Sequence, residues 1–194
     1  MDITPRQFEI IEAAGRILTS SGVSGLTIKN IAGEMRFSES AVYRHFTSKE
    51  EIIIALLDYL SDTLDERLQN TVQSEDNPEA KFKSVFQNLI NFFIKNPQFV
   101  VAVFSDGLIE ESQYINQTIL KLMNVLRKHL MPVIEEGQQK GVLTRAITTE
   151  EMVHIAIGTF KLQMFKWKIA NFQFDIQKEG NKMVSALLIL IKNK

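Results

Sequence analysis

Apolar residues recur every three or four positions along almost the whole 194-residue chain, and no strict two-residue alternation persists long enough to suggest a sheet. The spacing predicts an all-α fold. Thr4 is placed to cap a first helix, with Pro5 in its first position and Gln7 three residues on as a capping box requires; Phe8, Ile11, Ala14 and Leu18 then share one face. Gly22 in "SSG" can take the left-handed conformation that ends it. A second helix is expected over Thr27 to Met35 and a third, after the tight connection "RFS", from Glu39 to about Phe46. Ser48 as cap and Glu51 as its capping-box partner start a fourth that runs to about Val72.

"SEDNPE" at 74–79 is the first polar break. The next helix, over 79–95, sets Phe82, Val85, Phe86, Leu89 and Phe93 in one stripe and stops at "KNP". A short apolar piece, "QFVVAVFSDG", leads to a long helix from about Glu111 to 136, in which Pro132 should kink the end. Two last helices, from about Thr149 to Asn171 and Asp175 to Lys192, are apolar around most of their circumference and therefore need partners on more than one side. A homodimer built from 149–192 is expected, with Gly158 and Ala156 allowing close helix approach.

Several function classes drop out. With no cysteine there is no disulfide framework, thiol nucleophile or Cys-ligated zinc, and "MDITPRQFEI" lacks the basic and apolar regions of a signal peptide, so a cytoplasmic protein is expected. "MVSALLILI" is about half of the ~20 residues that span a bilayer, and no membrane association is expected. His154 has Glu150 and Glu151 one turn earlier, but no second histidine lies near; there is no nucleophile elbow, P-loop or dinucleotide-binding glycine pattern. Neither catalysis nor a metal or cofactor is expected.

What remains is a cluster around "SESAVYRHFTSKEE" at 38–51. A helix of about nine residues, a three-residue turn and another of about eight have the dimensions of a helix-turn-helix, whose second helix enters the DNA major groove. Between residues 27 and 49, four basic residues (Lys29, Arg36, Arg44, Lys49) face two acidic ones (Glu34, Glu39), a net +2 in a chain of net −1. Cations beside tyrosine and serine hydroxyls suit phosphate contacts, which position a protein on DNA without reading sequence. The same charges also suit a solvated polar face on a helical hairpin, and spacing and charge do not separate the two.

"LTIKNIAGEMRFSESAVYRHFTSKEEIIIAL", residues 26–56, resembles the DNA-binding module of the TetR family of transcriptional regulators, and the match is continuous from "IIEAAGRILTSSGVSGLT" to Leu57. "VIEEGQQKGVLTRAITTEEMVHIAIGTF" is similar to a weaker feature of that family, a double-glycine turn before the dimerisation helices. The resemblance implies a ligand-responsive repressor that binds an inverted-repeat, double-stranded DNA operator as a homodimer, with DNA binding in 1–47 and a ligand and dimerisation domain in 48–194. It implies phosphate contacts from Thr27, Tyr43, His45 and Lys49, and base or nearby backbone contacts from Lys29, Ser38, Glu39, Ser40, Ala41 and Arg44. Tyr43 can instead lend its ring to packing, and His45 can bond within its own domain.

Arg36 stands where the family usually has glycine; held at positive φ it costs roughly 1 kcal/mol or more, and it either tolerates that strain as a solvated loop residue or adds a phosphate contact. By the same resemblance an apolar or amphipathic effector sits among the helices at 49–72, 79–95 and 111–136, touching Phe86, Ile90, Phe93, Met123, Phe160 and Met164. A phenylalanine and methionine stripe at helical spacing also suits plain core. The competing class is a helical protein-interaction regulator without DNA binding.

Overall fold

The computed structural model describes residues 3–104, 108 and 112–193. The described helices are α1 (Pro5–Gly25), α2 (Ile28–Met35), α3 (Glu39–Tyr43), α4 (Lys49–Gln73), α5 (Pro78–Lys95), α6 (Pro97–Val103), α7 (Gln113–Gln139), α8 (Thr149–Ile169) and α9 (Ile176–Ile191). The fold is all-α. It divides into two compact units, Met1–Asp62 with Asn96–Leu122 and Thr63–Lys95 with Met123–Lys194.

In the first unit the α1 stripe of Ile10, Ile11, Ala14, Ile17 and Leu18 is buried with Ile28 and Ile31 of α2, Val42 of α3 and Ile52, Leu56 and Leu60 of α4. Tyr59 meets Phe8 edge-on at 5.3 Å and lies 6.3 Å from Phe99 on α6. In the second, Phe82, Phe86, Leu89, Ile90 and Phe93 of α5 are buried with Leu130 and Ile134 of α7, Met152, Phe160 and Met164 of α8, and Val184 and Leu188 of α9. α5 and α9 approach closely where a side chain at Gly180 would stand 2.4 Å from Ile90 Cδ1. After α7, Gly141 takes φ 70° and Gly137 leaves room for Leu143; Thr144 N then donates to Ile191 O at 2.8 Å and Asn193 N to Val142 O at 3.0 Å, pinning this turn to the end of α9.

The expected caps form at α1, where Gln7 N donates to Thr4 Oγ1 and Thr4 N to Gln7 Oε1, and Gly22, at φ 65°, breaks the helix before its last turn. At α4, Glu51 N donates to Ser48 Oγ as expected, and the Glu51 carboxylate accepts from Thr47 N and Oγ1. Three boundaries differ from the sequence reading. The third helix ends at Tyr43 and not near Phe46, because His45 N bonds back three residues to Val42 O and tightens the last turn. Part of the piece before the long helix is itself helical: Pro97 supplies the first position of α6, which buries Phe99, Val100, Val101 and Ala102. α8 stops at Ile169 because Asn171 and Phe172 adopt positive φ, and Asp175 caps α9. The expected start of the long helix near Glu111 lies outside the described residues, and α7 continues through Pro132 to Gln139.

Candidate functional site

The helix-turn-helix is organised by its caps. Thr27 Oγ1 accepts from Asn30 N at 3.1 Å to start α2, and Ser38 Oγ accepts from Ala41 N at 3.3 Å to start α3 while exchanging a 2.9 Å hydroxyl bond with Ser40. Between them Arg36 sits in the left-handed region (φ 57°, ψ 41°), and Phe37 N reaches back to Ala32 O at 2.8 Å. The turn keeps the shape glycine would give it, with arginine carrying the strain and its side chain in solvent.

Thr27, Lys29, Arg36, Ser38, Glu39, Ser40, Tyr43 and Arg44 are exposed, and Ala41, His45 and Lys49 are half-buried. Val42 and Phe46, buried between them, hold α3 to the core. Tyr43 is half exposed, at 50%. Two further side chains meet this element from a distance in sequence: Arg6 places its guanidinium 4.9 Å from the centre of the Phe37 ring, and Gln7 Nε2 donates to His45 O at 3.3 Å. Sequence reasoning found Gln7 as a cap and missed this second bond, since no local pattern joins residues 38 apart.

Of the six residues assigned to the effector, three come together as a ring cluster. Phe160 lies 5.6 Å from Phe86 and 6.1 Å from Phe93, ring to ring, and Ile90 and Met164 are buried in the same unit. Met123, on α7, is 38% exposed. Ile90 also lines a cleft of about 210 Å³ whose walls are the carboxamides of Gln87, Asn91, Gln177 and Asn181. On α8, Ile155, Leu162 and Ile169 are exposed at seven-residue intervals, and on α9 Ile189 and Leu190 are three-quarters exposed. Gly158 lies on the exposed side of α8 with open space where a side chain would stand, whereas Ala156 is buried inward. Glu150 is held by Arg127 at 2.7 Å, a bond that keeps its carboxyl below the usual glutamate range; among the described residues no three His, Cys, Asp or Glu side chains converge on a common point. No described helix is long and apolar enough to cross a membrane.

Such a fold and surface are those of a helix-turn-helix DNA-binding regulator. The chain belongs to the tetR family of bacterial regulatory proteins: residues 10–56 match that family's profile, and residues 58–185 match the tetracyclin repressor-like C-terminal domain. It is 28% identical over 142 residues to nucleoid occlusion factor SlmA of Marinomonas sp., covering 73% of this chain and 72% of that protein. The fold superposes on the fatty acid degradation regulator FadR of Bacillus halodurans with a TM-score of 0.88 at 16% identity, covering 97% of each chain. It superposes on FadR of Bacillus subtilis, solved in complex with stearoyl-CoA, with a TM-score of 0.83 at 18% identity, covering 93% of this chain and 97% of the other.

Proposed function

We propose that this protein is a cytoplasmic repressor, without catalytic activity, that binds an inverted-repeat operator as a homodimer and leaves it when an amphipathic effector with a large apolar part binds. Residues 1–47 serve DNA and 48–194 serve effector and dimer. The observation that carries the DNA reading is the exposed side of α3 and its flanking turns, where Ser38, Ser40, Tyr43 and Arg44 stand outward while Val42 and Phe46 are buried.

Tyr43, His45, Lys49 and Thr27 take phosphates in this reading, and Arg36 adds one from its turn. Lys29, Ser38, Glu39, Ser40, Ala41 and Arg44 face bases or the adjoining backbone. A carboxylate at Glu39 accepts from a cytosine amino group and is repelled by phosphate, which makes binding selective. Half-sites are read in successive major grooves about 34 Å apart or in an overlapping arrangement. The dimer forms through 149–192, where Ile155, Leu162 and Ile169 with Ile189 and Leu190 offer more apolar surface than a monomer usually leaves in water. For the effector, the buried Phe86, Ile90, Phe93, Phe160 and Met164 suit an apolar chain and the four carboxamides beside Ile90 suit a polar end. Stearoyl-CoA, bound by the Bacillus subtilis regulator, has that division of character.

The test is a selection from randomised DNA with the purified protein, repeated with fatty acids, acyl-CoA esters, aromatic acids and lipophilic cations. An inverted repeat released by an amphipathic compound, with the release weakened in Phe86→Ala or Met164→Ala, is the expected result. Recovery of no preferred DNA would overturn the operator reading. Release only by small, highly charged compounds, insensitive to both substitutions, would overturn the effector reading.

A further inference from the structure

α3 has five residues, too few to be stable as an isolated helix, so its direction is set by what holds its two ends. The first turn of α1 reaches both. At the leading end Phe37, the residue before the Ser38 cap, carries the Arg6 guanidinium at 4.9 Å from its ring centre. At the trailing end the His45 carbonyl, one residue past the Arg44 cap, accepts from Gln7 Nε2 at 3.3 Å. Gln7 is itself fixed, because its Oε1 accepts from Thr4 N at 3.1 Å and from Thr4 Oγ1 at 3.0 Å. One carboxamide thus joins the cap of α1 to the turn after α3, and the adjacent Arg6 joins it to the turn before.

We infer that Arg6 and Gln7 form a clamp that sets the angle of α3, with Gln7 a positioning residue for DNA recognition that need not touch DNA. The clamp rests on the DNA-binding reading above. Its chemistry needs an acceptor and a donor on one side chain, which an amide has and neither a carboxylate nor a thioether provides. Aligning α3 affects the contacts that depend on its angle, those to base edges. Binding to arbitrary DNA, which is mainly electrostatic, is much less sensitive to that angle.

The experiment compares wild type, Gln7→Met and Thr4→Ala. Thr4→Ala loses the α1 cap and the hydroxyl bond to Gln7 Oε1, but keeps the backbone N–H of residue 4 on that oxygen and the amide that reaches His45; Gln7→Met loses the bond to His45 and introduces no charge. Affinity is measured for the selected operator and for a scrambled duplex across a salt series, beside thermal midpoints and hydrogen exchange of the His45 and Phe46 amides. Gln7→Met is expected to lose about tenfold in operator affinity with less than a twofold change on scrambled DNA, an unchanged salt slope and faster exchange at His45 and Phe46. Thr4→Ala is expected to lower the midpoint while leaving the operator-to-scrambled ratio within twofold. The clamp is overturned if Gln7→Met leaves that ratio unchanged, or if Thr4→Ala lowers it as much at an equal loss of midpoint. A wild-type protein that prefers no DNA overturns the operator reading, and the clamp's role in recognition with it.

Discussion

At the scale of single residues, Arg36 connects stability to recognition. A non-glycine residue in the left-handed region pays a steric cost that glycine does not, partly offset by the greater freedom of glycine in the unfolded chain. Arg36→Gly should therefore stabilise the protein by about 0.5–1 kcal/mol, read from the urea midpoint, and weaken DNA binding with the salt slope lowered by about one counterion. Stabilisation without a change in slope would leave Arg36 as a solvated turn residue. Lys49→Ala should weaken binding to every sequence alike and also lower the slope by about one. The residues of α3 and its turns were legible because this element is short and local: caps, turn and charges lie within 25 residues of sequence. Burial on α7 was less legible, because helical spacing gives a stripe and says nothing of which stripe meets a partner helix; there Leu122 is buried and Met123 is 38% exposed.

At the scale of elements, the long helices followed from periodicity, and the errors fell where a helix ends or is brief. α6, seven residues of which four in a row are buried, shows no amphipathic face to a reader of the sequence. α3 was read three residues too long because its last turn tightens without any breaker residue to announce it. Helix-to-helix distances are equally silent in the sequence, and Gly180 is the case in point. Its α5–α9 contact leaves no room for a methyl group, so Gly180→Ala should destabilise the protein by about 1–3 kcal/mol unless Ile90 turns aside. Adding Ile90→Val should restore part of the loss, whereas additive losses in urea unfolding would show that the two residues do not meet. On the α4–α7 contact, the Lys128 hydrogen bond above all, with a smaller one from His129, holds the Asp65 carboxyl below its ordinary value of 3.8, against the opposing effect of burial. A carboxyl depressed in the folded state adds stability that is present above the unfolded value and lost as pH falls through the folded one. Asp65→Asn should flatten the decline of the urea midpoint below about pH 4 and leave a less stable protein at pH 7.

At the scale of the whole molecule, α8 and α9 leave Leu162 58% exposed and Ile189 and Leu190 three-quarters exposed, and in the proposed reading a second copy covers them. Leu162→Glu should yield a monomer in sedimentation at micromolar concentration, with normal helicity and with operator binding reduced to weak occupation of single half-sites. A dimer that survives this change would move the interface elsewhere. The apolar circumference of both helices announced this surface, although the packing that buries Ala156 and exposes Gly158 did not follow from composition. Trp167, the single tryptophan, belongs to the same region: its indole N–H donates to Phe174 O at 3.1 Å and its ring meets Phe172 edge-on at 4.8 Å, locking the turn from α8 to α9. Excited at wavelengths that spare tyrosine, the protein therefore glows from one place, and the colour and lifetime of that light describe the turn joining the two helices assigned to the dimer.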